Sequence, residues 1–425
     1  ASRDRDGKPD LSEPDLSEPD SSMSLAAAAA PRAAAPPATD FARELRRIDA
    51  RIAAGEGALA PPTDTERVTT YVDALYRRAL LTGDLDALER VEPAIDRGIG
   101  LITHPGDLHL LKARLAFHLH RLADVGRILE AVAPARTCPE GQTLLADLDF
   151  QQGRYAAAAA RYEAVIAKDR HWGALAGLAY HHFKMGDPAH ADRLYAEAED
   201  ELTAKEMRAF AWLELQRGVL DLAHGRRDET AAHYARAERA YSGWWVADEH
   251  CAELLAVAGD LEAATELYER LISQVSRPEL QQLLGQLHVL MERPGRARSR
   301  FVQARAGYLD SVRRGGVHYI HHLADFYCEA IANGARAVEW ARRDVALREN
   351  FITQAALAWA LMRGGAPAEA AEWMDRALAS GVQDAHLFAQ AAAVYGAAGE
   401  AEKAASCLDR SRQFNPRLSR FHVHR

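Results

Sequence analysis

The sequence predicts an all-α fold, a solenoid of about ten antiparallel helix hairpins, on three observations. First, one short phrase occurs twice in succession. Gly153 is followed by Ala158, Tyr162 and Val165, and Gly186 by Ala191, Tyr195 and Ala198 at the same offsets, with the two glycines 33 residues apart. A period of that size, spanning two helix-length segments, marks stacked supersecondary units. Second, the chain is rich in alanine and leucine and poor in β-branched runs, with only 7% aromatic residues, which favours helix over strand. Third, glycine or polar turns punctuate helix-length stretches along most of the chain. Arrays grow by adding units, so 425 residues predict one elongated body rather than several domains.

Charge and cysteine content narrow the function classes. The formal net charge of −9 leaves no basic excess to neutralise a phosphate backbone, so no nucleic-acid partner is expected. Cys138, Cys251, Cys328 and Cys407 lie far apart, without a C-x-x-C pair, which suggests single buried thiols and neither a zinc knuckle nor a disulfide framework. No run of 18 or more apolar residues is present, so no membrane-spanning helix is expected. The sequence does not name a compartment. A cytoplasmic setting is slightly favoured, and export remains the alternative, because Ala1 is compatible with a processed N-terminus.

In chain order, residues 1–38 form a low-complexity arm, with a tandem LSEPD at 11–20 followed by alanine and proline. It holds too little large apolar surface to offset its ordering entropy, so disorder is expected. Asp4, Asp6, Gly7 and Asp10 resemble the core of a calcium loop, but no flanking helix pattern or twelfth-position glutamate follows, and a solvated acidic tail is the plainer reading. Met23 could be a natural start. Residues 41–53 read as a short amphipathic helix, which Pro61-Pro62 follows, and Asp64 offers capping chemistry where the array begins. Hairpins are then expected at 65–81 with 84–96, 107–119 with 121–132, 140–151 with 154–168, 172–184 with 188–202, and 205–223 with 227–241. Five more follow at 245–257 with 261–274, 279–291 with 294–312, 317–332 with 335–347, 351–363 with 367–379, and 385–397 with 401–413. The expected organisation is an arm at 1–38, a divergent helical region at 39–136, a regular solenoid at 137–417 and a tail at 418–425.

These phrases resemble the tetratricopeptide repeat, whose 34-residue unit favours leucine-glycine and tyrosine on helix A, then alanine, an aromatic and alanine on helix B, with a late proline. Gly225, Thr230, Tyr234 and Ala237 fit, as do Gly259, Ala264, Tyr268 and Leu271. Leu284-Gly285 is followed by Ala297, Phe301 and Ala304, and Gly365 by Ala370, Met374 and Ala377. Gly399, Ala404, Leu408, Ser411 and Pro416 close the series. Matches are good over 139–416 and poor over 65–135. The unit at 318–351 lacks the inter-helix glycine in register and has Ala341 where an aromatic is usual. Longer steps near 186–225 and 295–334 imply extended helices or insertions. The resemblance implies a right-handed superhelix with helices A lining a concave groove.

Small residues such as Ala158, Ala191, Ala264 and Ala404 would let paired helices approach, while Tyr162, Tyr195, Tyr234 and Tyr268 fill the space between hairpins. These aromatics are expected in the core. The groove-facing positions of the tetratricopeptide pattern fall on Tyr180, Phe183 and Lys184; Glu249 and Glu253; Gln282 and Gln286; Tyr319, His322, Phe326 and Glu329; and Arg363. Aromatic, amide and charged groups on a rigid wall suit an extended peptide or a partner helix. An ordinary polar surface is the bland reading for any one of them.

The segment 317–329, VHYIHHLADFYCE, is the most distinctive. On a helix, His318, His322 and Asp325 would share one strip, and His321, Asp325 and Cys328 the next. Either strip offers zinc or copper ligands, but further ligands would have to come from another unit. Trp244-Trp245 reads as packing between units, or alternatively as an exposed partner anchor. No G-x-S-x-G elbow, phosphate loop, H-E-x-x-H or dinucleotide turn is present, so neither catalysis nor a cofactor is expected. The expected function is a non-catalytic scaffold or adaptor for a protein or peptide, and the alternative is a metal-handling or cofactor-assembly accessory protein using 318–329.

Overall fold

The computed structural model describes residues 38–419 and 421. The N-terminal arm as far as residue 37, its calcium-loop-like acids, and His422 and His424 lie outside the described residues. Among those described there are 22 helices and no strand. A lone helix α1 (Asp40–Ala54) leads into ten helix hairpins. These are α2 (Thr65–Thr82) with α3 (Leu85–Leu101), and α4 (Gly106–His118) with α5 (Leu122–Ala131). A short α6 (Ala133–Thr137) precedes α7 (Pro139–Gln151) with α8 (Tyr155–Lys168), and α9 (Trp172–Lys184) with α10 (Pro188–Asp200). Next come α11 (Met207–Ala223) with α12 (Arg227–Ala240), α13 (Trp245–Ala258) with α14 (Leu261–Gln274), and α15 (Pro278–Leu290) with α16 (Pro294–Arg313). The last are α17 (Ile320–Glu329) with α18 (Gly334–Leu347), α19 (Phe351–Arg363) with α20 (Pro367–Ala379), and α21 (Ala385–Ala398) with α22 (Ala401–Phe414).

Local chemistry sets these boundaries. Asp64, Asp84, Asp187, Asp260, Asn333, Asn350 and Asp384 cap helix N-termini through their side chains, satisfying backbone N–H groups that have no partner within the helix. Proline opens α7, α10, α15, α16 and α20, where its missing N–H costs nothing. The two long repeat steps resolve as lengthened helices: α11 has 17 residues and α16 has 20. The turn between α17 and α18, which lacks the usual glycine, places Ala332 at φ 56°, a left-handed conformation that disfavours a Cβ. Helix α17 begins three residues later than its pattern predicts. Gly315 at φ 93° and Gly316 break the chain there, so His318 and Tyr319 lie in a turn ahead of the helix.

The repeat phrase is core, as expected. Ala158, Ala191 and Ala264 are fully buried, and Tyr162, Tyr195, Tyr234 and Tyr268 are at most 3% exposed. The helix A glycine has a packing reason as well: a Cβ on Gly218 or Gly285 would strike the ring of Tyr234 or Phe301 on the paired helix. Trp244 and Trp245 are buried, which removes the exposed-anchor alternative.

Successive superhelical turns touch. Asn350 Nδ2 donates to the Gln151 carbonyl at 2.7 Å, and the Phe351 N–H donates to the Tyr155 hydroxyl at 2.9 Å. The Gln383 N–H reaches the Lys184 carbonyl at 2.9 Å, and the Lys184 ammonium pairs with Asp384 at 3.1 Å. Asn415 Nδ2 donates to the Leu222 carbonyl at 3.3 Å, and Ser242 bonds Asp40. Each of these contacts joins residues 193–202 positions apart. In all but the last, the turn inside one hairpin meets the junction five to six hairpins further along, and Asp40, at the start of α1, meets the junction at Ser242 in the same way; this spacing sets the length of one superhelical turn.

Candidate functional site

Helices A form the inner wall. Helix α7 contacts α9, α17 contacts α19 and α19 contacts α21 directly, whereas no two successive helices B approach comparably. The turns also meet edge to edge along this wall, at Gln151 with Asn350 and at Lys184 with Asp384. His118, at the C-terminal end of α4, lies where the surrounding protein desolvates its imidazole and lowers its pKa to about 4.

The groove residues expected from sequence divide into two groups. Tyr180, Glu249, Gln286, His322 and Glu329 are half-buried and Arg363 is exposed, each on a helix A. Phe183, Lys184, Glu253, Gln282, Tyr319 and Phe326 are buried. Lys184 is withdrawn because it binds Asp384 of the next superhelical turn, and Gln282 because it links Asp325 and the Tyr308 hydroxyl, at 2.8 and 2.9 Å. Phe183, Tyr319 and Phe326 pack between helices. The pattern places a position on helix A but has no information about the overlying turn, which is what covers Lys184.

Two histidine-bearing segments meet across the turns. His318 Nδ1 lies 3.2 Å from the His118 carbonyl. The His120 ring lies 4.5 Å from that of His318 and 5.3 Å, stacked, from that of His321. His322 stacks on Tyr308 at 5.5 Å. His120 is held at φ 59°, a strained conformation for a residue with a Cβ. Desolvation lowers His318 to about 3 against the pull of Glu279, and drives His120 and His321 well below the ordinary imidazole value. Next to them, burial alone would raise the Glu279 carboxyl, but the Arg277 guanidinium paired with it brings it to about 2. The joint is therefore a set of neutral, stacked rings beside a closed ion pair, suited to packing and poorly suited to proton transfer at pH 7.

As for metal, His318 lies off the helix and Cys328 is buried. No three donors among His318, His321, His322, Asp325 and Cys328 converge within 4.8 Å of one another.

Sequence reasoning missed several groups on the same wall. Asp147 on α7 accepts from the Tyr162 hydroxyl, and burial raises its carboxyl to about 6. Trp359 on α19 donates to Glu329 at 2.7 Å. Asp147 and Trp359 carry no motif, and only the repeat register applied to every unit could have found them.

No protein-family model matches the chain, and no curated protein sequence matches it. Similar solved structures include a tetratricopeptide repeat protein from Parabacteroides merdae, at 18% identity over 60% of this chain and 93% of that one, with a TM-score of 0.35. The Cut9–Hcn1 hetero-tetramer of APC/C is similar over 88% of this chain and 81% of the matched one, at 14% identity and a TM-score of 0.41. IFIT1 with Gppp-AAAA is similar over 87% and 95%, at 13% identity and a TM-score of 0.41. The fold assignment rests on the chain itself: ten consecutive helix hairpins, with the alanine and aromatic phrase buried at Ala158 and Tyr162, Ala191 and Tyr195, Ala264 and Tyr268, and Ala297 and Phe301, make its architecture a tetratricopeptide-like helical solenoid.

Proposed function

We propose that the chain is a non-catalytic scaffold that holds a peptide or protein partner against its helix A wall. One observation carries this reading: Tyr180, Glu249, Gln286, His322, Glu329 and Arg363 retain accessible surface on helices A, while the repeat-phrase aromatics do not. Such a wall is preformed, so binding orders little on the scaffold side, and its mixed charges select the partner. The net charge of −9 speaks against a polyphosphate backbone as the client.

The test is affinity capture with the full chain and with a variant carrying Glu249→Lys, Gln286→Glu and Arg363→Glu, followed by calorimetry with whatever partner is recovered. Glu253 and Gln282 are left intact because they are buried. We expect the variant to lose the partner while keeping its melting temperature, with affinity reduced about tenfold or more, as for two or three interface charges. An identical partner set at unchanged affinity would place binding on the outer helices B.

A further inference from the structure

We propose that His182, Asp187 and His190, at the turn between α9 and α10, bind one first-row divalent transition ion, with Zn2+ as the fitting case. The hairpin geometry brings the three together. Helix α9 ends at Lys184, Gly186 reverses the chain at φ 90°, and α10 starts at Pro188 behind its cap Asp187. His182 lies just before the reversal and His190 just after it, so their rings face each other across the hairpin at 4.1 Å between centroids. Asp187 occupies the apex between them.

The donor atoms of the three side chains all lie within 4.8 Å of one another, and they form the one such group of three or more found among the described residues. Bonds of about 2.0 Å in tetrahedral geometry require donors roughly 3.3 Å apart, a spacing that modest side-chain rotations reach from here. The carboxylate is already oriented: Asp187 Oδ1 accepts from the His190 N–H at 3.0 Å, leaving Oδ2 turned toward the His190 ring at 3.8 Å from Nδ1.

No lysine or arginine ion-pairs with Asp187 among the described residues. The contrast is His233, whose carboxylate partner Glu214 is already occupied by Arg236 at 2.7 Å. Two imidazoles and one carboxylate, half-exposed or exposed, supply three ligands and leave a position for water or a donor from a partner. The platform is fixed from behind, because Gln383 packs on Gly186 and Asp384 pairs with Lys184.

This inference goes beyond the scaffold reading and does not depend on it. The test uses the untagged full-length chain after chelator treatment, titrated with Zn2+ by calorimetry and with Co2+ by visible absorption. We expect one ion per chain at micromolar or better affinity, with tetrahedral Co2+ bands. Asp187→Asn, which preserves the helix cap, and His190→Ala should each weaken binding by about tenfold or more while leaving metal-free circular dichroism unchanged. Wild-type protein that binds neither ion at micromolar concentration would overturn the proposal. So would variants that bind as tightly as wild type, since the ion would then belong to another histidine group.

Discussion

The glycine turns of the first superhelical turn and those of the last serve the same local purpose in different surroundings. Gly83, Gly153, Gly186 and Gly225 all have positive φ, and a Cβ on any of them would collide with chain from the next turn: Trp245, the Glu349 carbonyl, Gln383 and Asn415 respectively. Gly259, Gly365 and Gly399 have equally positive φ and nothing within 4 Å. The covered glycines therefore answer two demands, a left-handed backbone and a close approach, and the open ones answer only the first. Identical repeat chemistry thus does different work according to whether another turn lies over it.

Substitution separates the two demands. Gly153→Ala places a methyl 2.6 Å from the Glu349 carbonyl oxygen, a backbone atom that cannot rotate away. With left-handed strain added, the expected loss is about 3 kcal/mol or more. Gly399→Ala meets only the strain, about 1 kcal/mol. Urea denaturation of the two variants measures the gap. Equal losses would mean that the turns do not touch in solution.

This contrast also marks what the sequence made legible. Hairpin boundaries, the lengthened α11 and α16, and the buried alanine and tyrosine positions could be read because they depend on residues within one or two units. The contacts of Gly153 with Glu349, Lys184 with Asp384 and His118 with His318 could not, because they depend on superhelical pitch, a property accumulated over nearly 200 residues. That is why Lys184 fits the groove pattern and is nevertheless buried. Nothing in the sequence pairs His182 with His190, because only the hairpin reversal brings them face to face with Asp187 between them.

A second comparison uses two capping asparagines. Asn350 caps α19 by accepting from the Thr353 N–H, and it also donates to Gln151 across the turns at 2.7 Å. Asn333 caps α18 by accepting from the Arg336 N–H, and its side chain makes no cross-turn hydrogen bond among the described residues. Asn350→Ala should cost about 2 kcal/mol, the cap plus a buried hydrogen bond, and Asn333→Ala about 1 kcal/mol. Thermal denaturation of the pair checks whether the bond to Gln151 adds to the cap. Equal losses would show that it does not.

The histidine joint supplies the subtlest test, because pH acts on the seam without altering a contact at neutrality. His321 lies against His120, His318 and His322, with Arg348 nearby, and burial together with these groups drives its pKa far below the ordinary value. The folded state thus holds the ring neutral while the unfolded chain binds a proton below about pH 6.5. Stability from this group is complete above pH 6.5 and declines as pH falls, by at most about 1.4 kcal/mol per pH unit, until the folded ring itself protonates. Asp147, raised by burial to about 6, acts in the opposite sense between pH 6 and the ordinary carboxyl range, so the slope is informative only as a difference between proteins. His321→Phe keeps an aromatic ring against His120 and removes the proton site. Urea denaturation at pH 7.5 should then show similar stabilities for variant and wild type. Between pH 6.5 and 5 the variant should lose stability less steeply, by about 1 kcal/mol per unit. Parallel pH profiles would mean that His321 titrates as it does in water, and the two turns would then stand apart at the joint.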